Sequence, residues 1–519
     1  MDVLDAIVVG AGVNGLVCAL ALARTGLNVV VLEERPVVGG VHRTEFPFSK
    51  APRLSAATGA HRLGFFPQEL ARQLRIDLAI VPRNPSLFVP TTEPGKFILA
   101  GAGNEGLRAV AGVDASALEA MHGELDAMLS DLGSAWLSGA LSLDDTADRY
   151  VRPELREKFV ALCRGSLAEF VARFGIQSGL IKAALATEAI MGSWASFDTP
   201  GSGAPLLFRH AARSHSGGGD GVSLLPGGLS GIVRALTEAA QSQRVKIMTG
   251  VSVREITLEG TGVTGVVLAD GRTIKCSTVI ASADPARLSA LVGGPARLGP
   301  FAAKIASFAR PGAAAKVNLA LSALPRFTCL PADRHGIAHS ATTYLIPGGD
   351  DGVRYLARAF AEASAGAFPS APPLEVVFNP PPEGGEHLYH ASIEVPWAPY
   401  DLAGTTWAAE EERALKAVLD VLESFAPGAR SLVVDAQFLH PKKLETHFGV
   451  TRGHLRHADD TFVFGDRMPY VLPLTGLYSC SSACAPGGGM LAIAGHNAAT
   501  RVLADFEFGL ERTEVGPLP

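Results

Sequence analysis

Ala6-Ile7-Val8-Val9-Gly10-Ala11-Gly12-Val13-Asn14-Gly15, with Glu33 just past a second apolar run at Asn28 to Leu32, is the stretch from which the fold is read. Ala6 to Val9 is short and apolar throughout, the pattern of a strand buried on both faces of a parallel sheet. Leu16 to Arg24 is rich in Ala and Leu and reads as a helix, with Gly26 at its C-terminal cap. Residues 5–35 therefore form one βαβ unit. A lone GxGxxG is a weak signal, but here it leaves a strand, opens a helix and is followed by an acid at the end of the next strand. Gly10 allows the tight turn, Gly12 lets the backbone approach a pyrophosphate, and Gly15 lets helix and strand pack closely. The helix start, at Val13 and Asn14, offers unpaired N–H groups and a positive dipole end to phosphates. Glu33 is placed to accept hydrogen bonds from ribose hydroxyls.

The residues after Glu33 choose between dinucleotides. Glu34-Arg35-Pro36-Val37-Val38-Gly39-Gly40 carries a Gly-Gly turn that brings a second loop to the pyrophosphate. It resembles the extended FAD signature of the glutathione-reductase-like flavoproteins, and FAD is the expected cofactor. Only one such fingerprint is present, so no second site for a nicotinamide cofactor is expected. His42 and Arg43 follow the turn and are expected at an FAD phosphate or ring edge.

Bulk properties bound the remainder. A chain of 519 residues exceeds one simple core, and 47% hydrophobic with 18% charged residues describes a globular enzyme with an apolar surface or pocket. A formal charge of −6 without a basic run argues against nucleic-acid binding. The N-terminus lacks a signal-peptide pattern and no apolar stretch is long enough to span a bilayer, so a cytoplasmic location is expected, with peripheral membrane contact left open. The six cysteines are scattered, and Cys480 and Cys484 read as structural.

Residues 105–215 read as mostly helical, with capping boxes at Ser116/Glu119 and Ser166/Glu169. Gly201 to Gly221 reads as a loop, Leu229 to Ala240 as a helix, Arg244 to Val267 as short strands with a hairpin, and Val279 to Ser282 as a buried strand. Lys316 opens an alternating strand, 340–400 holds several strand candidates, and Thr406 to Phe425 is an amphipathic helix. Gly476 to Leu503 reads as strand, glycine cluster and helix. The charge-rich tail after Phe508 reads as disordered.

From the N-terminus to about residue 505 the chain resembles the phytoene-desaturase-like branch of the FAD-dependent amine-oxidase superfamily. Within that branch it most resembles the pyridine nucleotide-disulfide oxidoreductase domain-containing protein 2 group, with retinol saturase and carotenoid isomerase as cousins. The resemblance is carried by Thr199-Pro200-Gly201-Ser202-Gly203, Pro226-Gly227-Gly228-Leu229, Ser282-Ala283-Asp284-Pro285 and Ala398-Pro399-Tyr400-Asp401-Leu402. Its most specific part is Gly476-Leu477-Tyr478 leading to Pro486-Gly487-Gly488-Gly489-Met490 and Gly495-His496-Asn497. The resemblance implies that Gly488, Gly489 and Met490 lie at the isoalloxazine and that Val253 holds the adenine through its backbone. It also implies that Lys316 matches the lysine that holds a water near flavin N5, and that His61 lies in a loop near the ring as a candidate acid or base. One departure stands out: Cys480-Ser481-Ser482-Ala483-Cys484 replaces a glycine-containing turn, so the backbone there must avoid positive φ. His454 and His457 lack companions at zinc spacing, so no metal is expected.

The reading is an α/β fold: a Rossmann-like FAD-binding domain of the glutathione-reductase type with a mixed-sheet substrate domain and helical cap. The expected boundaries are 1–75, 220–295 and 455–505 for the FAD domain, 76–219 and 296–454 for the substrate domain, and 506–519 for the tail. The expected activity is an FAD-dependent dehydrogenase or desaturase removing a hydride, via flavin N5, from a small hydrophobic substrate held in an apolar pocket, with conjugated or polyene-like molecules among the candidates, reoxidised by oxygen, a quinone or another acceptor. Flavin-dependent isomerisation or saturation, and a flavin-binding interaction protein with little turnover, are the alternatives. Oligomeric state is not legible.

Overall fold

The computed structural model describes residues 4–60, 62–78, 81–101, 112–214, 223–224, 228–331, 333–381, 387–487 and 489–507. The opening stretch forms strand β1 (Ala6–Val9), helix α1 (Val13–Ala23) and strand β2 (Val29–Glu33). All five residues of β2 are buried, as its unbroken apolar run requires. β1 and β2 lie inside a parallel sheet of five strands, ordered Leu477–Ser479, Val279–Ala281, β1, β2 and Lys246–Thr249. Strands from both ends of the chain thus share one layer, with Val279–Ala281 between them. α1 packs on this layer with Ser230–Ser242 and Ile493–Glu507 beside it, and its Leu16, Val17 and Leu20 are fully buried. Each such side chain contributes about 1.5–3 kcal/mol. An antiparallel sheet of Val253–Glu259, Gly262–Leu268 and Thr273–Lys275 contains the expected hairpin.

The second large sheet has seven strands, ordered Val433–Leu439, Gly312–Leu321, Tyr389–Pro399, Leu374–Asn379, Thr342–Leu345, Leu87–Pro90 and Phe97–Ala100. Its pairings are antiparallel except between Thr342–Leu345 and Leu87–Pro90, which makes it a mixed sheet. Ala315, Val317, Leu319 and Leu321 share a core with Trp407, Val418, Val421 and Leu422 of helix Trp407–Phe425. The alternate residues Lys316 and Asn318 are also buried, at 1% and 0% exposure, so the sheet has no solvent face there.

Helices Ala115–Leu132, Pro153–Arg164, Leu167–Ala172 and Gly179–Ile190 make the helical layer. Three local expectations change. Gly201 to Gly221 is not a loop throughout: Ala204–Ser214 is a helix that buries Leu206, Leu207 and Ala211, a stripe hidden by its glycine-rich flanks. Gly352–Ser364 is a helix among the strands, with Leu356, Ala359 and Ala363 buried at helical spacing. Ser116 does not cap its helix. The helix starts at Ala115 with Asp114 as its N-cap, two residues earlier, and the Asp114 carboxylate instead accepts the N–H groups of Gln177 and Ser178, 2.7 Å each, and ties two helices together. The Ser166/Glu169 capping box forms as expected, with both reciprocal bonds. No helix among the described residues is long and apolar enough to cross a membrane. The tail from Phe508 lies outside the described residues.

Candidate active site

The glycine loop has the backbone shape its sequence requires. A Cβ on Gly15 would lie 2.1 Å from the Gly10 carbonyl oxygen, so helix and turn approach as closely as two backbones can. Gly39, with φ 114°, turns the second loop back, and its N–H donates to Ala11 O at 2.8 Å. Gly40 follows with its own Cβ position 3.4 Å from Gly12 Cα, so the two loops run side by side. Glu33 is buried at the end of β2. Its Oε2 accepts the Ala11 N–H at 2.8 Å and its Oε1 the Arg35 N–H at 2.9 Å. These bonds fix the carboxylate's orientation and leave it lone pairs for ribose hydroxyls.

One cleft is lined by Gly10, Gly12, Val13, Asn14, Glu33, Glu34, Arg35, Gly39, Gly40, His42 and Val253. The structure therefore brings together sequence candidates spread over 240 residues. It adds residues the motifs did not assign: Ser282, Asp284, Arg287 and Ser482. Ser282 is the first residue past its strand, and its Cβ would stand 3.3 Å from one on Gly10. Arg287 reaches Glu34 at 3.3 Å and Gly449 O at 2.5 Å, closing the cleft's outer side. Arg43 also lines the cleft, but its guanidinium is held by Glu45 at 2.9 Å and His447 O at 3.1 Å, over the Phe448 ring. Burial pushes the His42 imidazole down to about 4, so it is neutral at physiological pH.

Asn14, His42, Val41, Leu455, Ser482 and Leu491 are common to this cleft and to a second cavity, so one groove is continuous. Gly489 and Met490 line the second cavity. They are held there by Phe65: its N–H donates to Gly489 O and its carbonyl accepts the Leu491 N–H, both at 2.7 Å. Gly488 lies outside the described residues, and so does His61, although its neighbours Ala60 and Arg62 line the cavity. The replaced glycine turn keeps its shape without left-handed residues: none of Cys480 to Cys484 has positive φ. Ser481 Oγ accepts the Ala483 N–H at 3.1 Å and also meets His457 Nδ1 at 2.8 Å. All six cysteines are free and buried. Among the described residues no cluster of His, Cys, Asp and Glu could hold a metal.

The expected apolar pocket is only half apolar. Leu63, Pro205, Phe208, Ala212 and Met490 line it, but so do Arg62, Arg209, Arg456, Glu394 and Asp460. Behind them Glu375, fully buried, bridges Arg62 and Arg209 at 2.9 Å each. Lys316 does not reach solvent. Its Nζ donates to Ser392 Oγ at 2.6 Å, and burial pushes it down to about 7 despite the charges of Glu394 and Glu375. No periodicity marks Arg62 or Arg209 as site residues; only the packing of a loop against a helix brings them together.

The residues present fit FAD. The cleft has a pyrophosphate cradle open at Gly12, where a Cβ would meet nothing nearer than Ser282 Oγ at 3.9 Å. Beside it, the buried Asn14 Oδ1 has no hydrogen-bond partner among the described residues. A βαβ dinucleotide cleft running into a second, partly apolar cavity defines a flavoprotein oxidoreductase. Comparison with known proteins agrees: residues 14–345 match the model of the flavin-containing amine oxidoreductases, and the chain belongs to that family. It is an FAD-dependent oxidoreductase. It is 28% identical over 559 residues to the pyridine nucleotide-disulfide oxidoreductase domain-containing protein 2 of Rattus norvegicus, covering 97% of this chain and 94% of that one. It is also 28% identical over 312 residues to the hydroxyneurosporene desaturase of Cereibacter sphaeroides, covering 55% of this chain and 57% of that one. The fold matches putrescine oxidase bound to putrescine, with a TM-score of 0.57 at 16% identity over 97% of this chain and 99% of that one. It also matches cyclohexylamine oxidase from Brevibacterium oxydans, with a TM-score of 0.56 at 15% identity over 98% and 100%.

Proposed function

We propose that the chain is a dehydrogenase or desaturase of small hydrophobic molecules, held in the cavity that continues the cofactor cleft. The observation that carries this reading is the unbroken groove from Gly12 past Asn14 and His42 to Met490. FAD, when bound, would supply the redox chemistry there, the oxidation of a substrate C–H bond by hydride removal. The chain supplies binding and orientation. Gly10, Gly12, Gly39 and Gly40 would hold the pyrophosphate, Glu33 the ribose and Val253 the adenine side, and Gly489 and Met490 would border the ring. Phe208, Ala212 and Leu63 give the substrate an apolar wall that also excludes water. Lys316 is not among the described residues that line the cavity; buried behind it on Ser392 and under the charges of Glu394 and Arg62, it is the candidate to hold a proton near the site. His61 is a second candidate by the family resemblance alone.

The test is anaerobic. Purified protein carries flavin absorbance, and a pool of hydrophobic metabolites bleaches it when the substrate is present. Protein that neither carries nor takes up FAD overturns the reading. Product of unchanged mass, formed only after flavin reduction, replaces dehydrogenation with isomerisation.

A further inference from the structure

Arg62, Arg209 and Arg456 converge on the cavity from three separate segments: the loop after Ala60, helix Ala204–Ser214 and the turn after Leu455. None is a surface arginine. Their side chains are 20%, 8% and 21% exposed, and what they expose lies in the cavity wall. Guanidiniums are kept in such places where a planar anion is recognised through paired N–H donors.

The protein's own carboxylates hold these arginines in place. Glu375 is shared by Arg62 and Arg209, so one carboxylate faces two guanidiniums. Arg209 is further anchored to Met191 O at 3.1 Å. Arg456 donates to Met191 O at 2.9 Å and pairs with Asp460 and, at 3.5 Å, with Glu394. Asp460 also faces the fully buried Arg467 at 3.9 Å. Arg83 beside Arg62 and Lys316 beside Glu394 and Glu375 add further positive charge to this buried cluster. Buried positive charge in excess of its partners is costly, so an anion suits the site.

We propose that Arg62, Arg209 and Arg456 form the acid-binding end of the substrate cavity, and that the substrate is a hydrophobic monocarboxylic acid. The proposal rests on the reading of this cavity as the substrate site. The apolar lining, Phe208, Ala212 and Met490, receives the body of the molecule, and the guanidiniums receive its carboxylate. Arg62 is the residue with most to gain. Burial and the neighbouring Arg209 push its pKa down against the opposing pull of Glu375, and an anion beside it in the cavity would add to that pull. Glu394 and Asp460 in the same wall repel a dianion more than a monoanion, which favours a carboxylate over a phosphate.

The experiment uses the FAD-loaded protein and reads the absorbance change of bound flavin on titration with cinnamate, its neutral amide cinnamamide, and phenyl phosphate. Cinnamate is expected to bind about tenfold or more tightly than cinnamamide. In Arg62→Gln, where Glu375 keeps Arg209 as its partner, that preference is expected to vanish with flavin content unchanged. If Arg62→Gln loses flavin, Arg209→Gln supplies the same comparison. Equal or absent perturbation by acid and amide in the wild-type protein overturns the inference, as does an unchanged acid preference in the variant. Tighter binding of phenyl phosphate than of cinnamate overturns the monocarboxylate assignment. A protein that is bleached by substrate yet indifferent to charge sinks this inference alone; a protein without flavin sinks the functional reading beneath it.

Discussion

Replacing Gly12 with alanine separates what the glycine loop does for the cofactor from what it does for the fold. Gly12 has φ −70° and ψ 171°, extended geometry that alanine adopts without strain. In the free protein the new methyl would meet nothing closer than Ser282 Oγ at 3.9 Å. Alanine is a poorer helix N-cap than glycine but restricts the unfolded chain, and the two effects oppose each other at a few tenths of a kcal/mol each. Apo-protein stability is therefore expected to stay within about 1 kcal/mol of wild type. The methyl points into the cleft where a pyrophosphate must approach the backbone. Overpacking of that kind costs about 1–3 kcal/mol, which corresponds to a roughly 5- to 150-fold weaker Kd for FAD. Gly15→Ala is the contrasting control: its methyl would lie 2.1 Å from the Gly10 carbonyl with or without ligand, so the apoprotein itself is destabilised. The assay pairs thermal unfolding of both apoproteins with FAD titration by quenching of flavin fluorescence. The reasoning is refuted if Gly12→Ala binds FAD like wild type, or if its apoprotein loses as much stability as Gly15→Ala.

Three further outcomes are expected. Glu33→Ala strands the Ala11 and Arg35 N–H groups, each worth about 1–3 kcal/mol when buried without a partner, so both thermal stability and FAD retention fall. Asp284→Ala removes the cap of helix Pro285–Leu291, where Oδ1 accepts from Ala286 and Arg287, and also the Oδ2 contact with Thr451 N–H; calorimetry should show a loss of about 1–2 kcal/mol. Lys316 has a folded pKa near 7 against an unfolded value of 10.5, so between those values the unfolded chain binds more protons and wild-type stability rises with pH. Lys316→Met lacks that slope: its stability relative to wild type should improve as pH falls from about 10.5 to about 7 and stay level below, as read from denaturant midpoints at each pH. A pH inflection of turnover near 7 that survives in Lys316→Met removes the lysine from the chemistry.

Much of the cofactor end is legible in sequence because its requirements are local. Gly10 to Gly15, Glu33 and Gly39-Gly40 act through backbone shape and through residues a few positions apart, and the cleft gathers them as read. The substrate end is not legible in that way. Arg62 follows a loop histidine, Arg209 sits in a helix whose flanks look like a loop, and Arg456 sits in an irregular turn. No repeat or spacing connects them, and the pocket read as apolar proves charged on one part of its lining.

The strand Gly312–Leu321 shows where the division falls. Its alternation sets Val317 and Leu319 on one face and Lys316 and Asn318 on the other by sequence alone, since successive side chains of a strand point to opposite sides. Whether the polar face meets water is not a property of the strand. The protein packs against that face, and Lys316 is buried with Ser392 while Asn318 joins His390 and Gln437. The sequence determined the βαβ cofactor cleft and the face on which each strand residue lies, because both follow from backbone geometry within a few residues. Only the tertiary structure decided the charges and the desolvation at the cavity, because burial depends on what segments from distant parts of the chain lay over it.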